Sequence, residues 1–126
     1  MTAEPVVLSC RIVHAAAADL SQVLAVLLAV RELIARPENW TQGTGARDRN
    51  GDRVSTKSPH ATCWCLMGAI AKVCANSHGF PTEVELRAIR YLELRGAVSD
   101  FNDKATHTQV LNLIDRAIDQ VRRDMR

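Results

Sequence analysis

Aromatic residues are scarce. Trp40, Trp64, Phe80, Tyr91 and Phe101 are the whole complement, 4% of 126 residues. Proteins that read RNA or single-stranded DNA stack bases on aromatic platforms, and this chain has too few rings to build one. Excess charge is scarce as well. The 16 Lys and Arg face 14 Asp and Glu, a formal net charge of +2, so the basic footprint of a nucleic-acid binder is missing. Long hydrophobic runs are lacking too. The longest, Val23 to Val30, falls far short of the roughly 20 residues a bilayer requires, and no membrane partner is expected. The first nine residues hold Glu4 and no base, unlike the cationic start of a secretory signal. The expected compartment is the cytoplasm, where the four cysteines stay reduced.

What is present is a helical pattern. Apolar residues make up 47% of the chain, enough for one modest core without staples. Residues 1–17 mix β-branched Val6, Val7, Ile12 and Val13 with the helix-favouring Ala15 to Ala18, and they read as an uncertain N-terminal arm. A single helical domain is expected over 18–126. Its first helix begins near Asp19, with Gln22 as the return partner of a capping box, and ends before Pro37. Residues 37–58 then form a long polar connection. Within it Asn50-Gly51 signals a two-residue turn with Arg47–Arg49 and Asp52–Val54 as short arms, so a short β-hairpin is allowed there. Ser58-Pro59, with Thr62 as rival cap, predicts a second helix from about 59 or 63 to 76. Thr82 with Glu85 and Thr106 with Gln109 make capping boxes for a third helix over about 83–95 and a fourth from about 106. The expected fold is therefore mostly α, a small four-helix domain with a long polar loop between helices 1 and 2.

Two sets of candidate site residues follow. The first is catalytic. A cysteine in the first turn of a helix is favoured as thiolate, and Cys65 occupies that place if Thr62 is the cap. His107 at the start of the fourth helix would be a neutral imidazole able to act as a base, and Asp103 or Asn102 could orient its ring. Against this stand the ordinary roles of the same residues: a small buried thiol, a surface histidine, and turn and cap residues. The second set is a binding surface made of Trp40, Gln42, Arg47, Arg49 and Arg53, with Lys57 beside them, suited to an acidic partner. Trp40 serves equally as a hydrophobic plug of the core.

Metal and cofactor sites are not expected. His60, Cys63, Cys65, Cys74 and His78 look like a ligand cluster, but Cys63 and Cys74 on one helix would lie about 16 Å apart. Cys10 and His14 could pair with Cys74 and His78 as a zinc set only if the arm is a docked helix. The stretch from Asp48 lacks the glycine and glutamate of a calcium loop. Gly43-Thr44-Gly45 is followed by no Gly-Lys-Ser/Thr, so it is not a phosphate loop.

The ordered string Pro37-Glu38-Asn39-Trp40-Thr41-Gln42, Ala46-Arg47-Asp48 with Gly51, Trp64-Cys65-Leu66-Met67-Gly68-Ala69-Ile70, Phe101-Asn102-Asp103 and Thr106-His107 through Ala117-Ile118 resembles an uncharacterised family of small proteins encoded by high-GC bacteria and their phages. The resemblance spans about residues 20–120, leaves out Cys10, Cys63 and Cys74, and implies a natural compact domain but no activity. The expected function is a cytoplasmic binding or regulatory module, a phage–host interaction factor using the 40–57 loop on a protein partner, with a homodimer left open. The alternative is a thiol hydrolase or acyl transferase in which Cys65 attacks and His107 takes the proton.

Overall fold

The computed structural model describes residues 10–75, 82–93 and 98–126, with side chains from residue 20 on except that of Ser99. It is mostly helical, with one small antiparallel sheet. Helix α1 covers Cys10–Leu33. It therefore starts well before Asp19, which lies inside the helix rather than at its cap; the alanine run at 15–18 carries the helix through. Val23, Leu27, Val30 and Ile34 recur at helical spacing and are all fully buried, each Leu or Ile contributing about 2 kcal/mol by burial. A 3₁₀ turn, Pro37–Asn39, follows with the proline at its start, as the missing N–H of proline favours.

The next segment departs from the sequence expectation. Strand β1 (Ala46–Asp48) pairs with β2 (Ala61–Trp64) in antiparallel register, Ala46 opposite Trp64. Residues 61–64 are thus extended, not the first turn of a helix. A turn forms at this place but not as the expected two-residue one: Gly51 alone takes positive φ there, at +87°, and its N–H donates to the Asp48 carbonyl at 3.0 Å, so the loop runs over three residues, Arg49 to Gly51. Its two arms meet at the bond from Asp48 N to Asp52 O, at the Arg47–Arg53 bridge and at the bond from Val54 N to Ala46 O, beside the ladder that β1 forms with β2.

Helix α2 spans Leu66–Cys74, capped by Cys65 rather than Ser58 or Thr62; Cys65 Sγ accepts from Gly68 N at 3.2 Å. Helix α3 (Glu83–Leu92) and helix α5 (His107–Asp124) begin on the capping boxes of Thr82 with Glu85 and Thr106 with Gln109, each reciprocal in both bonds. Between them a fifth helix, α4 (Val98–Lys104), stands apart from α5. The four helices expected from the sequence did not include it. Helix α1 packs against α2, α3 and α5, and α2 against α4. The seam of α5 (Val110, Leu113, Ile114, Ala117, Ile118, Val121) is buried throughout, and Arg31 clamps α1 to it by donating to both oxygens of Asp115 at 2.7 and 3.3 Å.

The excursion between α1 and α2 lies against the helices instead of standing off in solvent. Ala46 is fully buried, and Cys65 N donates to the carbonyl of Gly45 at 3.2 Å. Gly68 faces the same peptide: a β-carbon there would overlap the Gly45 carbonyl and sit 3.0 Å from the Gly45 Cα. Backbone cannot move aside as a flexible side chain can. Gly68→Ala is therefore expected to lower the unfolding free energy by about 1–3 kcal/mol, read from a urea titration, although alanine is the better helix former. An unchanged midpoint would mean that the two segments are not in contact.

Candidate functional site

The excursion is tied down by a side chain from the far end of the chain. Asn102, on α4, is fully buried. Its Oδ1 accepts from Trp40 Nε1 at 2.7 Å and from the Leu66 amide at 3.1 Å. Its Nδ2 donates to the Thr41 carbonyl at 3.1 Å and to Asp103 Oδ1 at 3.3 Å. One amide group thus meets the start of the excursion and the start of α2, and both its donors and its acceptor are used. Gln42 completes the tie. Its Nε2 donates to the carbonyls of Asn102 and Ala105, both at 2.9 Å, satisfying acceptors that the end of α4 leaves open. Asp103 Oδ1 accepts from Gly43 N at 2.9 Å.

His107 is drawn to a different neighbour. Its Nε2 lies 2.7 Å from the Ile34 carbonyl. A carbonyl only accepts, so this nitrogen carries the proton, and the ring holds the end of α1. The Trp40 ring stands beside it, with centroids 5.6 Å apart.

Cys65, Asp103 and the glycines Gly43, Gly45 and Gly68 line a hollow of about 360 Å³, together with Thr44, Thr56, Met67 and Ala71. Cys65 and Asp103 thus share one space, while His107 is not among its lining residues. Asn102 is packed beneath, spent on its four bonds. The thiol itself is buried. Burial pushes Cys65 above its ordinary value and the Asp103 charge adds to this, against the pull of the Gly68 and Met67 amides. At neutral pH it is a neutral thiol acting as a helix cap, and the helix terminus does not prevail over desolvation here.

The binding residues divide in two. Trp40 packs half-buried on the core. Arg47 donates to Thr41 Oγ1 at 3.0 Å, Gly51 O at 3.1 Å and Gln42 O at 3.1 Å, so its guanidinium latches the excursion to itself. Arg49 and Arg53 are exposed, as is Lys57. Two residues that line the hollow, Gly45 and Gly68, were not among the candidate site residues, although a glycine inside an otherwise apolar helical run is a mark of close packing. Of the zinc set, Cys10 and His14 belong to α1 by backbone, but their side chains and His78 lie outside the described residues. Among the described residues no three His, Cys, Asp or Glu side chains gather as a metal site, and no helix is long and apolar enough to cross a membrane.

One family model matches residues 18–120, that of a family of unknown function (DUF6197). No curated protein and no solved structure matches the chain.

Two outcomes follow from the geometry. Asn102→Ala leaves the Trp40 N–H and the Leu66 amide without partners, and each orphaned buried donor costs about 1–3 kcal/mol. A loss of several kcal/mol is expected in chemical denaturation, with a shift in tryptophan emission as Trp40 is released. The second concerns alkali. Burial, and then the charge of Glu85, push the Cys74 thiol up to about 11. A pKa raised on folding stabilises the fold below the ordinary thiol value and loses that contribution as pH climbs through the folded one. Unfolding free energy should fall between about pH 9 and 11, and Cys74→Ala should flatten that slope.

Proposed function

The chain belongs to the DUF6197 family, whose function is unknown, and from that footing we propose that it is a small non-enzymatic binding or regulatory module that offers the 40–57 excursion to a protein partner. The observation that carries this reading is the division of its basic side chains. Arg47 is consumed inside the excursion, whereas Arg49, Arg53 and Lys57 are exposed, and no ion pair engages them among the described residues. Long cationic side chains on a pre-ordered platform lose little backbone entropy when they meet a complementary surface. The partner chemistry that fits is an acidic protein face, and the charges would act mainly on association rate and specificity.

In its finer form the proposal places the module in a bacterial cytoplasm, as a factor acting between a phage and its host. The resemblance of the Trp-Thr-Gln, Trp-Cys, Phe-Asn-Asp and Thr-His string to proteins of bacteria and their phages supports that form. The thiol-enzyme alternative has less behind it. A base must reach the proton it takes, and His107 is not among the residues lining the hollow that holds Cys65, while Cys65 is buried at 6% exposure with its sulfur accepting from Gly68 N.

The test is charge reversal away from the latch. Arg49→Glu, Arg53→Glu and Lys57→Glu together should abolish capture of an acidic partner from cell extract and leave the melting temperature within a degree or two, since exposed charges contribute little to stability. Reversal of Arg122 and Arg123, exposed on the last turn of α5, is the control and should leave capture intact. Capture that survives the triple reversal overturns the proposal.

A further inference from the structure

The hollow beside Cys65 is a separate feature from the basic face, since none of Arg49, Arg53 or Lys57 lines it. We propose that it is a binding site for a small organic cation, an alkylammonium or guanidinium group carried on a short apolar body. Its volume of about 360 Å³ falls within the range of small-ligand pockets. Its lining is rich in small residues, Gly43, Gly45, Gly68 and Ala71. It cannot close by collapse, because the backbones of Gly45 and Gly68 already touch and Cys65 N is bonded to Gly45 O.

The chemistry of the lining selects the ligand. Met67 supplies a polarisable apolar wall. Thr44 and Thr56 add hydroxyls. Of the two ionisable groups present, Cys65 is held as a neutral thiol, which leaves the Asp103 carboxylate as the one charge. Gly43 N and Asn102 Nδ2 both donate to its Oδ1, so the carboxylate is oriented, and no described residue bonds to its Oδ2. An anion would find no welcome in spite of the nearby helix terminus. The Leu66 amide is taken by Asn102, and the Gly68 amide donates to Cys65 Sγ. The nearest guanidinium, Arg47, passes beside Gly43 but is spent on Thr41, Gln42 and Gly51.

Such a cation arrives either as a free amine or as the basic side chain of a peptide, and the experiment separates the two. The ¹⁵N-labelled full chain is titrated with agmatine, with Nα-acetyl-arginine N-methylamide, and with butanol and butyrate as neutral and anionic controls. The expected result is a saturable shift of the Gly43, Gly45 and Gly68 amides with the cations. Tighter binding of agmatine assigns a free amine, and tighter binding of the capped arginine assigns a peptide. Asp103→Asn keeps the acceptor for Gly43 and should weaken the cations about fivefold, the upper range for a solvent-facing ion pair, while leaving butanol unaffected. Ala71→Leu fills the hollow and should abolish all shifts. Butyrate or butanol binding as tightly as the cations, Asp103→Asn without effect, or glycine amides that do not move with any cation would each overturn the proposal.

Discussion

The structure depends on how one carboxamide is satisfied. Asn102 is removed from water, and a buried primary amide is tolerable only when its donors and acceptor are matched. They are matched by atoms from places the chain could not otherwise hold together: the indole of Trp40, the carbonyl of Thr41, the amide of Leu66 and the neighbouring carboxylate of Asp103. Apolar contact between the excursion and the helices is non-directional and would permit sliding. The amide bonds are directional, and they fix which backbone atoms meet. The touching peptides of Gly45 and Gly68, the hollow next to them and the emergence of α2 at Leu66 all depend on that registration.

Local signals were legible in part: of the three capping boxes expected, that of Asp19 with Gln22 falls inside α1. The boxes of Thr82 with Glu85 and Thr106 with Gln109 could be read directly and stand as read. The stripe from Val23 to Ile34 and the seam from Val110 to Val121 followed from periodicity. The turn at Asn50-Gly51 stands where it was expected but is one residue longer, because Gly51 takes positive φ there and Asn50 does not. The start of α2 was misplaced for an equally physical reason. Ser58-Pro59 is a sound local cap, but residues 61–64 are claimed by Ala46–Asp48, and a distant backbone outweighs a propensity of a few tenths of a kcal/mol. The true cap is a thiol, and cysteine is not among the residues whose side chains ordinarily cap helices.

The site was legible in part. Cys65, Asp103 and Asn102 were singled out, and all three sit in or under the excursion's anchor, but in roles that spacing could not convey. Asn102 looked like a turn residue or the orienting amide of a triad; whether a polar side chain is buried depends on the fold around it. Arg47 looked like surface charge because its acceptors, the Thr41 hydroxyl and two carbonyls, become acceptors only once the excursion has curled. The electrostatics of Cys65 turned on the same point. A helix terminus lowers a thiol's pKa and burial raises it, and the sequence displays the first influence without the second.

The two ends of the excursion are clasped to each other. Trp40 bridges Trp64, and Thr41 N reaches Trp64 O at 3.1 Å, so the chain leaves and returns side by side. Once its ends are fastened, lengthening such a segment carries only a slow, logarithmic entropic penalty. Its outermost turn, Asn50-Gly51, is exposed, and nothing lies within 4 Å of where a Gly51 β-carbon would be. The fold thus provides a splice point at which a foreign peptide could be inserted and displayed in a constrained loop, while the helices beneath continue to fold as before.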